Sequence, residues 1–200
     1  MKKLFGPRTF VNETMFFPNR DYEFEIVRYL RYAKKYFWIA IYTMTNDKLA
    51  STLYSLKNKG VDVRIITDDE TLNGNGCDLQ NLANAGIPVR RDSDPNARMH
   101  HKFMVIDDQI LINGSFNWTW TAIKSNNENL VFSSDQTQIK LFKNEFLKLW
   151  GRYKGGQLSS NGQVADYLLK YHNQYLKDER YQKSDESFLV LDDGLRPERK

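Results

Sequence analysis

The residues best suited to chemistry lie between Met99 and Asn117: His100, Lys102, Asp107, Gly114, Ser115 and Asn117, with Glu128 a short way beyond. If His100 to Ile106 is extended, His100 and Lys102 fall on one face and His101 on the other, because side chains alternate along a strand. Ser115 and Asn117 share parity at the end of the next hairpin strand. The hairpin can therefore bring an imidazole, an ammonium, a hydroxyl and an amide to one place, a set that suits a phosphate. A neutral imidazole can attack phosphorus and hold it covalently, while Lys102 and Asn117 stabilise charge on the non-bridging oxygens. Gly114 lets the backbone come close, and Ser115 adds a hydroxyl donor. A nucleophilic histidine also needs its other ring nitrogen held by an acceptor, and Glu128 is the candidate for that orienting role. Asp107 sits near the turn, behind the reacting groups, where a salt bridge or turn bond is as good a reading as chemistry. Singly, each of these residues is ordinary; six specified types at fixed spacing in one short chain are not a chance pattern.

His100, Lys102, Asp107, Gly114, Ser115 and Asn117 satisfy HxKxxxxD followed by GSxN, and the segment thereby resembles the HKD motif of the phospholipase D superfamily. The likeness extends to Phe16-Phe17-Pro18, Met44-Thr45-Asn46-Asp47, Ile66-Thr67-Asp68-Asp69, Ala85-Gly86-Ile87-Pro88-Val89-Arg90, Asn117-Trp118-Thr119 and Asn127-Glu128-Asn129. Over about residues 14 to 153 the chain is similar to the single-motif branch that contains the Zucchini-type endoribonucleases and cardiolipin hydrolases. The resemblance implies a mixed α/β sandwich, metal-independent phosphodiester hydrolysis and a phosphohistidine intermediate; no metal and no cofactor are expected. Animal members of that branch carry a membrane anchor and a small zinc finger, which this sequence does not show, so a mitochondrial surface location is not inherited from the likeness.

Hydrolysis through a covalent histidine needs a second group to protonate the leaving oxygen and then to activate water. One motif supplies one imidazole, and His172-Asn173-Gln174 is no second copy. Superfamily enzymes with one motif pair two subunits, so a homodimer with a composite site is expected, His100 of one subunit attacking and His100 of the other serving as acid and then base.

For substrate contacts, Arg90, Arg91, Arg98 and Lys124 flank the motif and could line a groove for a polyanion alongside Gly114, while Trp118, Trp120 and Phe116 could stack on bases. The same arginines read equally as strand-end charges, and the tryptophans as core or interface residues. A duplex is too wide for a narrow twofold groove, which favours single-stranded RNA or DNA. Cardiolipin or a related phospholipid is the alternative, and the intact catalytic set argues against a silent nucleic-acid-binding module.

The elements that must position these groups alternate. A helix over about 21–35 precedes an apolar run at Phe37 to Tyr42, an Asn46 cap and a helix carrying Leu49, Leu53 and Leu56 closed by Gly60. Val61 to Ile66 and Ile87 to Val89 are further strands around a helix at Leu79, Leu82 and Ala83. Phe103–Ile106 and Ile110–Ile112 leave room only for a hairpin at Asp107-Asp108-Gln109, so the sheet is mixed, with helices on both faces. Asn129–Phe132 adds a strand, and Asp135 caps a helix with Ile139, Phe142, Phe146 and Leu149 on its apolar face. The expected division is a phospholipase D-like catalytic domain over 1–153, then over 154–200 a linker, a helix near Leu168 to Tyr175, and a loosely ordered charged tail.

The 200 residues, 40% hydrophobic and 27% charged, suit one folded core and exclude disorder over the whole length. Net charge is +4, which favours polyanions without deciding among them. The longest nearly apolar stretch, Tyr36 to Met44, is under half the roughly 20 residues a spanning helix needs. With one cysteine, Cys77, the expectation is a reducing compartment, cytoplasmic or nuclear, and no transmembrane anchor.

Overall fold

A computed structural model describes residues 11–178. The chain runs β1 (Asn12–Phe17), α1 (Tyr22–Leu30), β2 (Tyr36–Ile41), α2 (Asp47–Asn58), β3 (Asp62–Thr67), α3 (Leu79–Asn84), β4 (Val89–Arg91), β5 (Lys102–Ile106), β6 (Ile110–Gly114), α4 (Trp120–Lys124), β7 (Glu128–Ser133), α5 (Gln136–Arg152) and α6 (Asp166–Lys177), with single 3-10 turns at Glu70–Asn73 and Lys154–Gly156. The strands form one seven-stranded sheet in the order β1-β7-β6-β5-β2-β3-β4. Pairs β2–β3 and β3–β4 are parallel, joined through helices; every other pair is antiparallel. The expected mixed sheet with helices on both faces is the fold observed.

Strand alternation builds the two faces. Phe37, Ile39 and Ile41 of β2 and Met104 and Ile106 of β5 face the larger core, covered by α1, α2, α3, α4 and α6. Trp38, Ala40, Phe103 and Val105 face the other core, closed by Ile139, Phe146 and Leu149 of α5. Both central strands thus bury both faces, which is why they read as unbroken apolar runs.

Two boundaries and one added helix differ from the sequence reading. Helix α1 ends at Leu30 rather than near residue 35, because the backbone N–H groups of Lys34, Lys35 and Tyr36 are captured by the Asp107 carboxylate at 2.7, 2.9 and 2.7 Å. Strand β4 lies at Val89–Arg91, shifted past Ile87, whose N–H instead closes the end of α3 on Leu82. The short α4, capped by Thr119 onto the N–H of Ala122, carries too few apolar positions to show a helical period.

The segment expected as a linker packs along β4. Leu158 N–H donates to the Val89 carbonyl at 2.9 Å, and Gln157 bridges to Arg90. A Cβ on Gly156 would meet the Arg91 carbonyl oxygen at 2.0 Å, so glycine permits this approach. Helix α6 then lies on α2, burying Leu168 and Tyr175 in the larger core, with His172 Nδ1 2.8 Å from the Ser55 hydroxyl. Residues 179–200, the bulk of the charged tail, lie outside the described residues. Among the described residues, no helix is long and apolar enough to cross a membrane.

Candidate active site

Sheet topology decides which sequence-distant residues meet. Strands β2 and β3 run one way and β5 runs back between β2 and β6. One end of the sheet therefore receives the C-terminal ends of β1, β2, β3 and β6 and the N-terminal ends of β5 and β7. Tyr42, Asp68, His100, Lys102, Ser115, Asn117 and Glu128 all stand at or just beyond that end.

Lys102, paired in register with Ile41, is only 8% exposed. Its ammonium donates to the His100 carbonyl at 2.8 Å, lies 3.1 Å from His100 Nδ1 and sits 5.3 Å above the Tyr42 ring. Burial lowers the Lys102 pKa, and the nearby Glu128 charge opposes that shift. The His100 ring lies 4.7 Å from Tyr42. Its pKa is also lowered, first by desolvation, then by the positive charges of Lys102 and Arg98, with Asp68 pulling the other way. Two cations beside an imidazole disfavour imidazolium, which favours the neutral, nucleophilic form of the ring. His101 turns to the opposite face, edge-on to Phe103, as alternation requires.

The second half of the site is a tight crossing of β6 and β7. Ser115 Oγ donates to Glu128 Oε2 at 2.5 Å and accepts from Asn129 N–H at 3.1 Å, while Asn126 donates to Glu128 Oε1 at 3.2 Å. Asn117 Oδ1 is buried without a hydrogen-bond partner among the described residues, which leaves this amide poised to rearrange around a ligand.

Several expected roles are corrected. Glu128 holds Ser115 and Asn126, not the His100 ring, so the orienting contact is not made within the chain. Asp107 lies at the far end of β5, five residues and roughly 17 Å of strand beyond Lys102, where it serves the backbone entering β2. Gly114 spaces the strands rather than binding substrate: a Cβ there would meet the Asn129 carbonyl oxygen at 2.0 Å. Trp118 and Phe116 are 0% exposed and belong to the core, unable to stack on a base. Arg90 is committed to the Trp150 carbonyl, the Trp150 ring at 4.0 Å and Gln157. Arg91 pairs with Asp69 at 3.4 Å. Arg98, its side chain 60% exposed, pairs with Glu70 at 2.8 Å while still acting on His100. Lys124 lies 4.3 Å over the exposed Trp120 ring.

Sequence reasoning missed Tyr42 and Asp68. Asp68 is fully buried, accepting from the N–H of Met99 at 2.8 Å and of Glu70 at 3.0 Å, so it anchors the loop that delivers His100. Its signal was its place just past the end of β3. Asp68, Asp69 and Asp92 also bring carboxylate oxygens within 4.8 Å of one another. In this chain those oxygens are engaged with the backbone at Met99, Glu70 and Asp69 and with Arg91.

Residues 26–150 match the family model described as cardiolipin synthase, PLD-like domain. The chain is 44% identical over 126 residues to a mitochondrial cardiolipin hydrolase of Chlamydomonas reinhardtii, covering 63% of this chain and 56% of that protein. It is 36% identical over 128 residues to the human protein of that name, covering 64% and 50%. The chain thus spans somewhat over half the length of the curated relatives it matches. Among solved structures it resembles Nuc from Salmonella typhimurium, a phospholipase D family member, with a TM-score of 0.64 at 26% identity over 74% of this chain and 97% of that one. The curated relatives are named mitochondrial, which overturns the cytoplasmic or nuclear location expected from the sequence. That expectation rested on one cysteine and a missing apolar run, neither of which reports a compartment.

Proposed function

The chain belongs to the phospholipase D-like domain family, and from that premise we propose that it hydrolyses phosphodiesters through a covalent intermediate on His100, with single-stranded nucleic acid as substrate. The observation that carries this reading is the His100–Lys102 pair: a neutral imidazole with an ammonium 3.1 Å away, at the sheet end where Ser115, Asn117 and Glu128 also arrive. An incoming phosphate oxygen is a better acceptor for the Lys102 ammonium than an imidazole nitrogen. Lys102 therefore turns from the ring to the substrate and frees the ring to react.

The unprotonated ring nitrogen attacks phosphorus, a P–N bond forms and the ester P–O bond breaks. The departing oxygen takes a proton from the imidazolium of a second subunit's identical histidine in a homodimer. That imidazole then removes a proton from water, whose oxygen attacks phosphorus as the P–N bond breaks. A phosphomonoester leaves and His100 is again neutral. Lys102 and the Asn117 amide stabilise charge on the non-bridging oxygens, so the scheme needs no metal. Ser115 and Glu128, tied at 2.5 Å, hold the rim of the pocket.

Arg98 and Lys124, both exposed near this end of the sheet, favour a polyanion. A second reading, hydrolysis of cardiolipin or a related phospholipid, draws on the names of the relatives. End-labelled single-stranded RNA, single-stranded DNA and cardiolipin vesicles, each incubated in EDTA with the protein and with His100→Ala, separate the readings. Strand cleavage in chelator that vanishes in the variant is expected. Release of phosphatidic acid without strand cleavage replaces the substrate, and cleavage that survives in the variant refutes the mechanism.

A further inference from the structure

Between Asn117 and Glu128, two groups of the candidate site, the chain makes one short excursion: α4 and the loop Ser125-Asn126-Asn127. Helix α4 buries Ala122 and Ile123 in the larger core and turns Trp120, Thr121 and Lys124 outward. Trp120 is 37% exposed, whereas Trp118, two residues earlier, is fully buried. Two ammonium groups attend the Trp120 ring: Lys124 Nζ at 4.3 Å and, while paired with Glu23 at 2.6 Å, Lys48 Nζ at 5.7 Å from its centre. Lys48 comes from the first turn of α2, which also rises from this end of the sheet, because Met44 bridges Trp118 just before it. Around the ring, Thr121, Ser125, Asn126 and Asn127 are exposed and polar.

Resting on the reading above, we infer that Trp120 with Lys124 and Lys48 is a stacking subsite for one base of a single-stranded nucleic acid, lying beside the scissile phosphate. An aromatic face flanked by ammonium groups complements a flat π-system joined to an anion. Trp120 and Asn117 are three residues apart, so their Cα atoms lie within about 11 Å of each other; a nucleotide adjacent to the one being cleaved spans that gap. The surroundings argue against a lipid-facing patch. Among the described residues, Phe16, the other large exposed aromatic at this end, alternates with Phe17, which packs on Tyr22 and Phe116 in the larger core. Phe16 therefore faces the opposite side of the sheet, and the two rings do not form the broad apolar face that interfacial binding requires.

The test is fluorescence anisotropy of short single-stranded and duplex oligonucleotides, RNA and DNA, titrated with the full chain carrying His100→Ala to prevent cleavage, beside co-sedimentation of the same proteins with anionic phospholipid vesicles. Trp120→Ala is expected to weaken single-strand binding about 5- to 150-fold and to leave duplex binding unchanged, since duplex bases are already stacked. Trp120→Phe restores most of the loss. Lys124→Ala weakens both and reduces the salt slope by about one. Unchanged single-strand affinity in Trp120→Ala overturns the subsite while leaving the proposed nuclease intact. So does a loss confined to anionic vesicles, which makes Trp120 a lipid contact. Failure of the Trp120-intact protein to bind any single strand overturns both.

Discussion

Asp107 is part of the motif by sequence and part of the scaffold by structure, and replacing it separates the two. Its carboxylate accepts three backbone N–H groups, from Lys34, Lys35 and Tyr36, at 2.7–2.9 Å. Its own φ of 53° lies in the left-handed region. Asp107→Ala deletes all three bonds. Two of them are open to water, so each is given the average for an ordinary hydrogen bond, about 1 kcal/mol, rather than the larger figure for a buried charged acceptor. Alanine in the left-handed region costs about 1 kcal/mol more. The sum is about 4 kcal/mol, a large part of the roughly 5–15 kcal/mol that holds a domain together. It corresponds to a drop of about 2 M in the urea midpoint for a slope near 2 kcal/mol/M. The reacting groups sit at the other end of β5, so kcat/KM on a single-stranded substrate, measured well below the unfolding transition, stays within about twofold of the parent. Asp107→Asn, which keeps one acceptor oxygen and tolerates the backbone, falls between in stability. A 100-fold loss of kcat with an unchanged urea midpoint would refute the assignment and return Asp107 to the chemistry.

At Gly114, alanine would push its Cβ to 2.0 Å from the Asn129 carbonyl oxygen. This forces β6 and β7 apart where Ser115 and Glu128 cross, with an expected cost of about 2–4 kcal/mol in urea unfolding and about 100-fold in kcat; a variant as stable and active as the parent contradicts the close approach. The acid limb of the pH profile of kcat/KM should lie below the usual histidine value of 6.5, because burial, Lys102 and Arg98 all disfavour imidazolium. Arg98→Ala should move that limb up, and a downward move rejects the assignment to His100. Asp78, 2% exposed beneath α6, is pushed up to about 7, first by burial, against the pull of the Tyr167 hydroxyl. The folded state holds a proton that the unfolded chain releases above about pH 4, so this contribution to stability is full below pH 4 and is lost as pH rises through about 7. Asp78→Asn should flatten the fall in melting temperature over that window; parallel curves for the two proteins would dismiss the effect.

Local patterning made much of this protein legible from its residues. The alternating apolar runs and helical spacings imply the mixed sheet, because strand and helix periods are properties of consecutive residues. Asn46, Thr119 and Asp135 each accept from the first turn of a helix, though only the first and last stand before an apolar period long enough to read. His100 and Lys102 meet because two residues on one strand face must. The remainder depended on which strands lie side by side. Tyr42 reaches His100 and Lys102 only because β5 pairs with β2, and Asp68 supports Met99 only because β3 ends beside the loop before β5. Asp107 and Lys102 share a motif and stand at opposite ends of one strand, a separation that spacing in sequence cannot convey. Three neighbouring aromatics, Phe116, Trp118 and Trp120, are equivalent by type, yet the first two fill the core and the third is exposed. Burial is a property of the packed layers, which the sequence specifies only through contacts between residues far apart along it.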